Sequence, residues 1–388
     1  MHASPYRIAA AGCGMLAIAI GVGRFALTPV LPLMQETGVS MSQGAALASA
    51  NYFGYLIGAL TAIGSRVSPP RVIRASLVLI GLVTVAMGFC PWYAGWLALR
   101  AIAGVASAWV LVFASAWALQ TLSAAGRPAL SGLVFAGVGG GIAAVGVLVI
   151  AAARAGGGAS AAWVLLGMPA FVTAALISTI LRLQPTPGAG NRVASSISAL
   201  RDATRPIVAY GALGFGYIIP ATFLPLMAKQ LVGAGASFEW AWPVFGLAAA
   251  VSTLVSARVR AHPQQVWIAG NLIMAAGLAA PVFWSGIGAV VAAALLVGAT
   301  FMVITLAGLQ WARERAGERA TALIAAMTSA FAAGQIAGPL VADALFARRQ
   351  DFSGALLAAC AAMLLATYVL ARGRTRSAVL SPQTEKTR

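Results

Sequence analysis

The sequence predicts an all-α membrane protein, with twelve transmembrane helices in two pseudo-symmetric six-helix halves. Three observations carry this reading. Charged residues make up only 9% of the 388-residue chain, apolar residues 61%, and mean hydropathy is +0.90. A soluble domain typically needs about a quarter of its residues charged to cover its surface. The apolar residues fall in twelve runs, and at roughly 20 residues per crossing these use about 240 residues, leaving loops, one linker and a tail. The first six runs share landmarks with the second six at a near-constant offset.

The first run, 6–34, carries Arg7 at its start and opens like a secretory signal, but it continues too far for one and reads as a retained first helix. Runs 44–65, 71–90, 94–121, 128–153 and 160–182 complete a first half. The loops between them carry Pro, Gly or charge, as in Ser65-Arg66-Val67-Ser68-Pro69-Pro70-Arg71. Segment 183–205, with Pro185, Pro187, Gly188, Gly190 and several serines, is the longest polar interruption and reads as a cytoplasmic linker. Runs 206–231, 239–259, 264–284, 286–310, 320–346 and 352–371 form the second half. The expected division is 1–182, linker 183–205, 206–371, and a polar cytoplasmic tail 372–388 whose basic residues face anionic membrane lipid.

The halves repeat. Pro32-Leu33-Met34 ends the first run and Pro225-Leu226-Met227 the seventh, an offset of 193 that also carries Pro70 onto Pro263. Leu119-Gln120 corresponds to Leu309-Gln310 at an offset of 190. Duplicated six-helix halves are the signature of transporters that rock about a central site. Orientation follows from positive charge: with both termini cytoplasmic, 19 of the 25 Lys and Arg lie inside. Four (Arg154, Lys229, Arg348 and Arg349) lie outside, and Arg24 and Arg100 lie within spans.

The net charge of +17 is distributed over alternate loops rather than gathered on a soluble face, so it points to membrane topology and not to nucleic acid. Cys13, Cys90 and Cys360 fall in or beside apolar runs, where they read as small packing residues. The two histidines, His2 and His262, are terminal and in a loop, so the sequence holds no metal-ligand cluster and nothing in it calls for a cofactor. A membrane-embedded enzyme needs an acid, base, nucleophile or metal set at one depth, and none is legible.

Arg24 is the sharpest candidate for a substrate contact. A helix from Ile8 to Met34 is about 39 Å long and must tilt. Arg24 then lies about 5 Å past its midpoint. A guanidinium there costs at least about 2.5–3.5 kcal/mol in lipid, so it must face a cavity or partner. It reads as a bidentate clamp for an anion, or as a structural arginine satisfying carbonyls freed near Pro29. The offset of 193 sets Tyr217 opposite it in the other half. Thr28 lies one turn beyond Arg24, and Asn51 and Tyr55 share a face of the second span with Tyr52 adjacent. These polar residues read either as ligand contacts or as glue between helices. Arg100 contacts ligand, snorkels outward or holds a motif in place. Gln335 is an uncharged polar candidate. All eight acids lie in loops, in the tail or near span ends; Asp343 is the nearest to a buried position and is the side-chain candidate for a coupling proton. The substrate itself and a tyrosine–arginine arrangement are the alternative proton carriers.

The chain resembles the major facilitator superfamily, and within it the YbfB/YjiJ group of bacterial transporters. The resemblance rests on Gly23-Arg24-Phe25-Ala26-Leu27-Thr28-Pro29-Val30-Leu31-Pro32-Leu33-Met34 and on Leu47-Ala48-Ser49-Ala50-Asn51-Tyr52-Phe53-Gly54-Tyr55-Leu56. In the second half it rests on Gly214-Phe215-Gly216-Tyr217-Ile218-Ile219-Pro220-Ala221-Thr222-Phe223-Leu224-Pro225 and Trp242-Pro243-Val244-Phe245-Gly246-Leu247. It implies the major facilitator fold, alternating access and a bacterial inner-membrane location. Arg100 with Gly104 matches the superfamily's Arg-x-x-x-Gly feature. Two departures stand beside it. Gly64-Ser65-Arg66…Arg71-Val72-Ile73-Arg74 lacks the usual acid, and the glycine run Gly137-Val138-Gly139-Gly140-Gly141 lacks the proline of the antiporter motif. The reading is secondary active or facilitated transport of a small organic solute, an anion being favoured. An exporter of neutral or amphiphilic compounds, or a non-transporting scaffold on the carrier fold, is the alternative.

Overall fold

The computed structural model describes residues 4–63, 67–183, 203–232, 240–259, 261–284, 286–317, 320–349 and 351–372. Twelve helical spans follow in order: α1 Pro5–Glu36, α2 Met41–Ile63, α3 Pro69–Met87, α4 Tyr93–Ala124, α5 Ser131–Arg154 and α6 Ala159–Leu183, then α7 Thr204–Val232, α8 Ala241–Ser256, α9 Pro263–Phe283, α10 Ile287–Ala316, α11 Ala320–Arg349 and α12 Ser353–Ala371. Among the described residues nine of these are long and apolar enough to cross a membrane, and the apolar stretch of α8, Trp242–Ser256, is shorter. Most of the expected linker and tail, 184–202 and 373–388, lies outside the described residues.

The packing repeats as the sequence does. In the first half α2 packs on α4, α4 on α3, α3 on α6 and α1 on α5. In the second, α8 packs on α10, α10 on α9, α9 on α12 and α7 on α11. The halves meet along α2 with α11 and α5 with α8, two contacts that exchange under the same pseudo-two-fold relation. The seam between α5 and α8 is a backbone approach. A Cβ added at Gly246 would sit 2.7 Å from the Gly139 carbonyl oxygen, so only small residues close it.

The first span departs from the single straight helix expected. Pro5–Leu16 is α-helical, Ala17–Val22 is a π-helical segment, residues 23–26 form a turn, and Leu27–Glu36 is helical again. The amides of Gly23 and Phe25 reach back five residues, to the carbonyls of Ile18 and Ile20. Pro29 brings no N–H, and Thr28 N–H bonds the Phe25 carbonyl instead. This register shift is a π-bulge of the kind common at functional sites.

Candidate functional site

A helix broken inside a membrane must satisfy its freed carbonyls from elsewhere. In α1 the carbonyls of Gly23 and Arg24 are reached by side chains from α2 and α4. Asn51 Nδ2 donates to Gly23 O (3.1 Å) and also to Arg100 O (2.9 Å). Arg100 Nη2 donates to Arg24 O at 2.8 Å. Asn51 and Arg100 are both fully buried. Their reach depends on α2 lying against α4, where a Cβ at Gly104 would come within 2.8 Å of the Tyr55 amide nitrogen. The spacing of Arg100 and Gly104 therefore has a local explanation: the glycine admits α2, and the arginine pins the break in α1.

With its carbonyl held by Arg100, Arg24 is free to project elsewhere. It is only 4% exposed, and its Nε and Nη2 have no hydrogen-bond partner. The guanidinium carbon lies 4.3 Å from the centre of the Tyr55 ring and about 5.5 Å from those of Phe25, Tyr52 and Phe331. Phe331 belongs to α11, so the aromatic surround of Arg24 spans both halves. Arg24 lines a cavity between the halves with Tyr55, Tyr210, Tyr217, Phe301, Thr328 and Phe331 among others. The described acids Glu36, Glu314, Asp343 and Asp351 are all exposed, and none of them borders this cavity. Its volume of about 20 Å³ is room for about one water molecule.

Arg24, Tyr55 and Tyr217 thus come together at one cavity. Gln335 is fully buried behind it, its amide donating to the Tyr217 hydroxyl. Tyr52 is buried beside Arg24 without lining the cavity. Asn51 and Arg100 support the site from behind, as above. Thr28 is half-buried beyond the break and does not reach the cavity. Asp343 departs most from its expected near-buried placement. With Leu340 and Ala344 it occupies an exposed face of α11, one turn of helix that points out of the bundle and away from the cavity.

A family model described as "Uncharacterised MFS-type transporter YbfB" matches residues 16–371. The chain belongs to this family. It is therefore a membrane transporter of the major facilitator superfamily. No curated protein matches the sequence significantly. Among solved structures, a variant of the E. coli fucose:proton symporter FucP superposes with a TM-score of 0.69 at 15% identity, covering 95% of this chain and 99% of that one. FucP in the outward conformation gives 0.66 at 16% identity, covering 94% and 98%. At such identity the likeness is one of fold.

In this YbfB-type transporter the repeat itself could have named cavity residues that reading single motifs missed. The offset of 193 read for α1 and α7 pairs Arg24 with Tyr217, and the offset of 190 read for α4 and α10 pairs Leu111 with Phe301. All four line the cavity. Thr305 has no such signal, since its counterparts at these offsets, Val112 and Ser115, do not reach it.

Proposed function

We propose that this protein is a secondary carrier that moves a small organic anion across the bacterial inner membrane by alternating access, with both termini cytoplasmic. One observation supports this above the others: a buried guanidinium with an unpartnered edge, in a cavity lined from both halves. Intramembrane charge without a partner is costly and marks a substrate or ion path by default. Nε and Nη2 form one straight edge of the guanidinium, and that edge matches the two oxygens of a carboxylate. Segments 1–182 and 206–371 act as the two rocking bodies, joined by 183–205. None of the described carboxylates lines the cavity, so the anion meets Arg24 with its own carboxylate ionised.

The aromatic and aliphatic lining favours a second reading, an exporter of neutral amphiphiles in which Arg24 contributes only its stem and ring contacts. A thermal-shift screen of purified protein against organic acids, sugars, amino acids and cationic drugs separates the two when run beside Arg24→Ala. A ligand at 100 times its dissociation constant adds about 2.7 kcal/mol to the folded state. The anion reading requires carboxylates to stabilise the wild type and not a folded Arg24→Ala. Neutral compounds that shift both proteins equally would establish the second reading.

A further inference from the structure

We infer that the carried anion is an aromatic monocarboxylate; this rests on the anion reading above. The charge around the cavity limits it to one carboxylate. Arg24 is the one cationic side chain lining it among the described residues; Arg100, whose Nη2 bonds the Arg24 carbonyl, does not line it. A second carboxylate would be buried without a partner, which is strongly unfavourable.

The rest of the lining describes the substituent. Six rings, from Phe25, Tyr55, Tyr210, Tyr217, Phe301 and Phe331, border the same space. Tyr217 stacks on Phe301 and on Phe331, with centroids 5.3 Å apart and planes within 4° and 13°. These rings line the same volume as the guanidinium. A sugar or polyol would need a ring of many paired donors and acceptors, and the lining offers few polar groups among its aromatic and aliphatic side chains. Tyr217 is bonded by Gln335, and Thr305 donates to the Phe301 carbonyl at 2.8 Å. Tyr55 Oη and Thr328 Oγ1 are buried without hydrogen-bond partners, and both residues line the same cavity as Arg24. One carboxylate on Arg24, a hydroxyl contact or two, and a planar apolar body among the rings satisfy this lining.

The test is equilibrium binding to the purified full-length protein, with benzoate as probe and four matched compounds: cyclohexanecarboxylate, acetate, terephthalate and benzamide. Aromatic contact is expected to favour benzoate over its saturated analogue about two- to tenfold. Terephthalate is expected to bind at least about tenfold more weakly than benzoate, because its second charge is buried. Phe331→Leu, which keeps an apolar side chain of similar reach, should shrink the benzoate preference below about twofold. Equal binding of benzoate and cyclohexanecarboxylate, or terephthalate binding as tightly as benzoate, overturns this inference. Where those aliphatic or dibasic acids still depend on Arg24, the anion reading survives the loss. Benzamide binding as tightly as benzoate, equally in Arg24→Ala, overturns both, and so does an absence of carboxylate binding altogether.

Discussion

Replacing Asn51 with leucine keeps the approximate volume of the side chain and removes the amide that holds the break in α1. In the wild type, Asn51 Nδ2 serves Gly23 O at 3.1 Å and Arg100 O at 2.9 Å. Without it, Gly23 O is left buried with no donor, at a cost of about 1–3 kcal/mol. Arg100 O lies inside α4 and keeps its helical partner, so its loss is closer to about 0.5–1.5 kcal/mol. Against this, Asn51 Oδ1 is itself buried without a partner, and leucine removes that penalty of about 1 kcal/mol. The net expectation is a destabilisation of about 1–3 kcal/mol, read from denaturant unfolding of the purified protein. Ligand affinity should fall with it, because the pinned carbonyls of Gly23 and Arg24 fix the backbone that carries the Arg24 side chain. Thr61→Val is the control. It removes an exposed bond from Trp109 Nε1 (3.0 Å) and should change stability by under about 0.5 kcal/mol. An Asn51→Leu protein with wild-type stability and wild-type ligand affinity would refute the capping role.

Three further outcomes follow from the same geometry. Arg24→Met should leave the ligand-free protein as stable as wild type, or up to about 2 kcal/mol more stable, because an unpaired buried guanidinium is costly and its ring contacts offset only part of that; a loss of several kcal/mol on unfolding would mark Arg24 as structural. Gly246→Val places a side chain against the Gly139 carbonyl and should cost about 1–3 kcal/mol by overpacking the seam between α5 and α8, with an unchanged unfolding midpoint contradicting that contact. Gln335→Leu removes the donor to the Tyr217 hydroxyl but also removes the unpartnered Gln335 Oε1, so stability should change by under about 1 kcal/mol while ligand affinity falls measurably in a binding titration.

The span positions were legible because membrane crossing writes itself into composition: the runs 71–90 and 352–371 fall within a few residues of α3 and α12. Arg24 was legible because a lone charge stands out inside an apolar run, where lipid would tolerate it only at a cavity or against a partner. The π-helical segment at 17–22 was not. Its Ala, Ile, Gly and Val residues are apolar on every face, so no polar stripe records the change of register. Pro29 signalled a kink, yet the turn lies three to six residues earlier. The roles of Asn51 and Arg100 were ambiguous for a different reason. Their acceptors lie 28, 49 and 76 residues away, and nothing local distinguishes a capping amide from a ligand contact. Asp343 looked close to buried by its place near a span end, but exposure depends on which face of α11 it occupies, and the neighbouring sequence is too uniformly apolar to say.

The central claim is that Arg24 carries the charge of a transported anion. Counterflow in proteoliposomes tests it most directly: vesicles preloaded with unlabelled carboxylate are diluted into labelled carboxylate, for wild type and for Arg24→Gln. The account predicts transient accumulation of label by the wild type and none by the folded Arg24→Gln protein. Equal accumulation by both proteins would contradict it and assign the arginine to the scaffold.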